Sequence, residues 1–290
     1  MITSAANLDP ALMRPRIEAL MAAPPDELPL DDAERMVNAL LGALERGDVR
    51  AAERDDAGRW HAVPWVKQGI LLGFRISHVE DMSLGGKSAF RFFDKHLFPT
   101  QPLPQSQGVR IVPGGSTVRR GAHVARGVVC MPPMYINVGA WVGAGSMVDS
   151  NALVGSCAQI GERVHLSAGA QIGGVLEPVN AAPVVVEDDA FIGGNCGVYE
   201  STVVRARAVL AAGVVLTRAT PVFDLVHERV YRASPQLPLE IPAGAVVVPG
   251  SRRVRSEWGA EQGLAITAGV IVKYRDEGTS TALAMEQWLR

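Results

Sequence analysis

Three cysteines in 290 residues are too few to staple a disulfide scaffold. A formal net charge of −2 offers no basic surface for nucleic acid or an anionic membrane, so neither is expected as a partner. Long apolar runs are missing as well. The first twenty residues, MITSAANLDPALMRPRIEAL, meet proline and acid early, which argues against a secretion signal or membrane anchor and leaves a cytoplasmic address as the expectation. With 48% hydrophobic residues, the chain has material for two or three subregions around a sizeable core.

What the chain has is a period. An apolar residue returns at every sixth position as Val112, Val118, Val124, Cys130, Ile136, Val142, Val148, Val154, Ile160, Leu166 and Ile172. A second series follows as Val186, Ile192, Val198, Val204, Leu210 and Leu216. Four places after each, a small or β-branched side chain recurs, as at Ala140, Ala152, Ala158, Val164 and Ala170. One place after stands Gly143, Gly155, Gly161, Gly173 or Gly193, read as a corner whose backbone angles a Cβ would forbid. Such a unit is one flat side of a coil. Three sides close an eighteen-residue turn, and hexapeptide periodicity is a signature of a parallel β-helix. Successive coils about 4.8 Å apart refill the same interior column, so only aliphatic and small residues pack it at normal density. The seventeen units predict between five and six coils. The three cysteines, Cys130, Cys157 and Cys196, all fall in this repeat and are expected to be free, buried thiols.

The flanks differ in texture. Residues 1–106 read as a small, mostly helical N-terminal domain. Met36, Val37, Leu40, Leu41 and Leu44 mark an amphipathic helix between Asp31 and Glu53, capped by Asp31 or Asp32 and ended by Gly47. A second helix is predicted over 63–75, although Gly69 and Gly73 oppose it. The β-helix is expected over 107–218, with a loop insertion at 174–185, where fourteen residues separate Ile172 from Val186, two more than two units. The remainder, 219–290, reads as a lid-like connection over 219–241, short strands at 245–248 and 268–272, and a C-terminal helix over 281–290.

Longer stretches go beyond the repeat. The succession MVDS, NALVGSCAQIG, VHLS and IGGVLEP, with RIVPGG before it and FRI, FFDK and AGVIVK outside it, resembles the tetrahydrodipicolinate N-succinyltransferases over nearly the whole chain. The resemblance implies a mainly β protein, a left-handed parallel β-helix, acting as a homotrimer with its sites in grooves between subunits. It also implies transfer of succinyl from succinyl-CoA, a co-substrate, to the amino group of ring-opened tetrahydrodipicolinate in diaminopimelate and lysine biosynthesis. No metal and no permanently bound cofactor is expected.

Such a reaction asks for a base, dipoles for an oxyanion and cations for a dicarboxylate. Asp149 stands at a corner where neighbouring repeats carry glycine. By itself it reads as an acid that bonds its own backbone; the resemblance makes it the catalytic, substrate-orienting acid. Arg110 precedes two apolar residues and Pro113, where the resemblance implies a carboxylate-binding arginine, and Ser156 is likewise expected at the substrate. Some relatives carry a second acid where this chain has Gly197. Either Glu200 replaces it from the next corner, or Asp149 acts with backbone amides alone. Gly143 and Ala144 also stand where relatives commonly carry acids. Lys273, with Arg253 or Arg255, is expected to meet the phosphates of coenzyme A.

Three other readings stay open. An acetyl-CoA-dependent N-acetyltransferase would share every motif named here, and a non-catalytic scaffold would share the fold. A zinc carbonic anhydrase needs three clustered histidines, whereas the repeat offers only His123 and His165. His165, a base of the type other hexapeptide acyltransferases use, is expected to face outward near a corner. The run Glu187, Asp188, Asp189 reads as a solvated turn.

Overall fold

The computed structural model describes residues 8–83 and 90–276. Its centre is a three-faced prism built from strands of two residues, the second of each pair facing in. One face stacks His123–Val124, Trp141–Val142, Gln159–Ile160, Val185–Val186, Val203–Val204 and Glu240–Ile241 in parallel register. A second begins with Arg110–Ile111 and climbs through Val129–Cys130, Met147–Val148, His165–Leu166, Phe191–Ile192 and Val209–Leu210. The third runs from Thr117–Val118 to Val215–Leu216. Ladder bonds such as Trp141 N–H to the Ala158 carbonyl, 2.9 Å, join each coil to the next. Val142, Ile160, Val186, Val204 and Ile241 form one fully buried column.

The predicted period holds from Val118 upward and fails at its first member. Ile111, not Val112, lies beneath Cys130, because the turn through Gly114 and Gly115 carries one extra residue. The insertion is also larger than expected. Val185 pairs with Gln159, 26 positions away, whereas Gln159 pairs with Trp141 at 18; eight residues are spliced into a single side.

The corner glycines serve a purpose other than the one predicted. Gly143, Gly155 and Gly161 have no left-handed φ. What they lack room for is a side chain: a Cβ on Gly155 would lie 2.2 Å from the Gly174 nitrogen of the next coil, and one on Gly143 2.5 Å from Gly161. The left-handed position falls two places later, at Gly145, Cys157, Arg163 and Asn195.

The N-terminal region is helical as expected, with α1 (Pro10–Ala22), α2 (Leu30–Arg46) and α3 (Pro64–Ile76). α2 starts at Pro29 without a side-chain cap, so neither Asp31 nor Asp32 caps it; Asp32 instead binds Arg16 and Arg35. Gly47 does end it, at φ 84°, and the chain then forms a hairpin, Ala52–Arg54 with Trp60–Ala62, that the sequence reading did not foresee. The glycines that opposed α3 are its contact points. A Cβ on Gly69 would sit 2.3 Å from Leu40, and one on Gly73 2.7 Å from Phe98. Close helix packing needs their bareness more than it needs their helix propensity. Val138 and Cys157 from the prism complete this helical core.

Parts of the segment after 219 are tied into the prism. Val222–Asp224 pairs in parallel with the strand Ala265–Tyr274, and Glu240–Ile241 adds the last rung of the first face. The strands expected to be short are long: Ala245–Arg253 and Ala265–Tyr274 form an antiparallel hairpin extending the second face. Val222, Leu239, Val247 and Ile271 belong to the prism core. The helix expected over 281–290 lies outside the described residues.

The corrected register predicts unequal costs. Leu166→Ala should lower the urea unfolding free energy by about 2–5 kcal/mol, and Val112→Ala by less than about 0.5 kcal/mol. Equal losses would return Val112 to the interior column.

Candidate active site

Because the interior is full of aliphatic side chains, chemistry can only be displayed on faces and corners. Asp149 follows Met147–Val148 at the corner between the second and third faces and is half-buried. Its N–H donates to the Leu166 carbonyl at 2.9 Å, and its Oδ1 accepts from Ser150 N–H at 2.7 Å. The local-backbone reading is therefore correct for one oxygen. Oδ2 has no hydrogen bond among the described residues.

Arg110 is exposed at the foot of the second face. Its strand pairs with Val129–Cys130, which pairs with Met147–Val148, so Arg110 stands two rungs, about 10 Å, below the Asp149 level on the same side. The structure thus brings these two to one side of the prism.

Ser156 and Glu200 occupy a different corner, between the third and first faces. Ser156 is half-buried beside Cys157, and its carbonyl accepts from Val175 N–H at 3.1 Å, where the 174–185 insertion leaves the coil. Glu200 is exposed, at φ 54°, with Oε2 accepting from Arg218 N–H at 2.9 Å in the coil above. A side chain at Gly197 would have to displace the Tyr199 ring. A Cβ there would lie 2.5 Å from the Tyr199 ring, which covers it. Within one chain the third face separates Glu200 from Asp149.

The cations expected at coenzyme A do not meet one another. Lys273 pairs across the hairpin with Val246 and binds Asp276 at 3.1 Å, whereas Arg253 pairs with Ala265 at the other end. Seven strand residues, about 24 Å, lie between them, and Arg255 lies beyond Arg253 at the exposed tip. His165 faces out of the prism as expected but is buried there, its ring 4.9 Å from Phe191. Of the 187–189 acids, Asp188 and Asp189 form the expected solvated turn, but Glu187 does not. Glu187 is buried and accepts from Arg205 Nη1 at 2.8 Å and Trp60 Nε1 at 2.9 Å, Asp188 accepts from Glu162 N–H, and Asp189 pairs with Arg163. Among the described residues, no group of three or more His, Cys, Asp or Glu side chains could hold a metal ion.

One polar group near the insertion escaped the sequence reading. Lys67, on α3, is fully buried, and its Nζ donates to the Ala181 carbonyl at 2.5 Å. Its only sequence signal was its place three residues before the core residue Ile70, on the apolar side of a helix. Burial pushes its ammonium below the ordinary 10.5. The unfolded chain keeps that proton to higher pH, so the penalty on folding is complete at neutral pH and fades as pH rises toward 10.5.

The stacked hexapeptide sides, with an acid and an arginine displayed on one side, define a hexapeptide-repeat transferase. A model of the hexapeptide repeat of succinyl-transferase matches residues 183–218, and one for the tetrahydrodipicolinate N-succinyltransferase N-terminal region matches 16–76. A 2,3,4,5-tetrahydropyridine-2,6-dicarboxylate N-succinyltransferase from Polynucleobacter asymbioticus is 40% identical over 92% of each chain. One from Nitrobacter winogradskyi is 41% identical over 88% of this chain and 89% of the relative. The chain belongs to the tetrahydrodipicolinate N-succinyltransferase family. A solved Campylobacter jejuni structure described as a putative N-succinyltransferase is 19% identical, covers 80% of this chain and 61% of its own, and has a TM-score of 0.49.

Lys67→Met removes both a hydrogen bond and a buried charge. The two effects oppose, so unfolding free energy at pH 7 should change by less than about 1.5 kcal/mol. The parent should gain stability relative to the variant as pH is raised from 8 to 10.5, which urea melts at stepped pH would read; parallel pH profiles would contradict the assignment.

Proposed function

We propose that this protein transfers the succinyl group of succinyl-CoA to the amino group of ring-opened tetrahydrodipicolinate. The observation that carries the reading is the open Oδ2 of Asp149 on the side of the prism that also displays Arg110, in a chain of this family. Arg110 offers a planar fork for a substrate carboxylate. Asp149, already oriented through Oδ1, holds the amine and accepts its proton through Oδ2. The freed nitrogen attacks the thioester carbonyl carbon, and the oxyanion that forms is stabilised by N–H donors of the corner turns. Collapse breaks the C–S bond; the second proton of the attacking nitrogen passes to the departing thiolate of coenzyme A, and Asp149 returns the first to solvent.

The two-corner arrangement supports an assembly. Glu200 and Ser156 of one protomer can approach Asp149 of a neighbour only if the corner between the second and third faces meets the corner between the third and first, a head-to-tail contact that closes as a ring. A homotrimer meets that requirement. Leu225, Val226, Val230 and Leu237, exposed on the 219–241 segment, provide apolar cover for the acyl chain. Lys273 at the hairpin base and Arg253 with Arg255 at its tip are separate candidates for phosphate contacts.

Asp149→Asn should reduce kcat with succinyl-CoA by about 10²–10⁴-fold, with unchanged circular dichroism. A 1:1 mixed assembly of Asp149→Asn and Glu200→Gln chains should recover about a quarter of parental activity, since random mixing leaves that share of two-chain sites intact. No recovery would place both acids on one chain's site, and a Glu200→Gln protein as active as the parent would remove Glu200 from it. A faster rate with acetyl-CoA than succinyl-CoA would overturn the donor assignment.

A further inference from the structure

Apart from the corners, the structure holds a cavity of about 380 Å³ where the N-terminal hairpin overhangs the first face of the prism. Its floor is low for a local reason. Gly143 and Gly161 can carry no Cβ because the next coil is too close, and Ala144 between the ladder strands is small. Its upper wall is Arg50, Arg54 and Trp60; none of Asp149, Arg110, Ser156 and Glu200 reaches it.

Arg50 is the central group. Its guanidinium carbon lies 4.0 Å over the Trp141 ring and 5.5 Å from that of Trp60, and its Nε donates to Gln159 Oε1 at 3.0 Å. That bond and the stacking fix the plane of the fork. The terminal nitrogens, with four N–H donors, have no acceptor among the described residues. Of the acids nearby, Glu187 is held by Arg205, Trp60 and the Ala206 N–H, and Glu162 by Arg163; Asp188 accepts the Glu162 N–H through Oδ1 and its charge also acts on Arg50, without a hydrogen bond to it. Arg54 donates to the Gly58 carbonyl and stands 3.8 Å from Glu187. Partial burial lowers Arg50 to about 10, which still leaves it a cation at neutral pH.

We infer that this cavity binds a small planar anion, a ring carrying a carboxylate or phosphate. The oxyanion takes the terminal nitrogens of Arg50 in the bidentate manner that a guanidinium favours, and the ring lies against the Trp60 indole, because Arg50 and His123 cover the two faces of Trp141. The volume falls in the range of small-molecule pockets. Because Arg50 and Trp60 come from the N-terminal region while Trp141 and Gln159 come from the prism, an occupant ties the two together and raises the thermal midpoint.

Benzoate is the probe for ring plus carboxylate, acetate and inorganic phosphate for the anion alone, and benzyl alcohol for the ring alone. Benzoate should quench tryptophan emission saturably, acetate and phosphate should bind more weakly, and benzyl alcohol should not saturate. Arg50→Gln should weaken benzoate at least tenfold while Arg50→Lys retains part of the affinity. Trp60→Leu should weaken benzoate more than phosphate. Asp149→Asn should leave benzoate binding unchanged, which separates this site from the proposed active site. Parental affinity in Arg50→Gln, displacement of benzoate by coenzyme A, or absence of saturation in the folded parent would each overturn the inference.

Discussion

Every coil of the prism must sit on the one below at the strand spacing, about 4.8 Å, and that single requirement shapes most of the molecule. An inward side chain has an equivalent directly above and below, so each column must be filled by residues that tolerate their own repetition. Val142, Ile160, Val186 and Val204 do this without exposed surface. The same closeness empties the corner positions at Gly143 and Gly155, where a single carbon would strike the next turn's backbone.

A rigid, filled prism displays chemistry but cannot gather it. Groups on one side are spaced in whole rungs, as Arg110 and Asp149 are, and groups on different corners stay apart. Asp149 and Glu200 can share a substrate only across a subunit boundary. Under the proposed function, assembly is therefore part of the site rather than an addition to it. The eight-residue insertion relaxes the constraint locally by leaving the stack beside Ser156, and Lys67 holds it from below.

The N-terminal region shows where buried polarity accumulates. Lys67, Glu187 and Arg205 give up hydration at the boundary between helices and prism, and each is matched with an oppositely charged or dipolar partner. Arg50 is the member of that boundary whose terminal donors face open space instead.

Much of this was legible because a period of six is a local property. The inward columns from Val118 to Leu216, the helix that Gly47 ends and the free cysteines could all be read from neighbours along the chain. What could not be read depended on partners 18 or 26 residues away. The slip at Ile111, the single side between Ile172 and Val186, the bareness of Gly69 beneath Leu40 and the Tyr199 ring over Gly197 are such cases. So are the partners of Glu187, which arrive from Trp60 and Arg205 and turn one acid of an apparent surface run into a buried anchor. The amino-acid order by itself determined that the chain would coil in six-residue sides, since inward and outward alternation is set residue by residue. Which corners carry which side chains toward one another was decided only by the stacked structure, because distance between coils is counted in turns and not in residues.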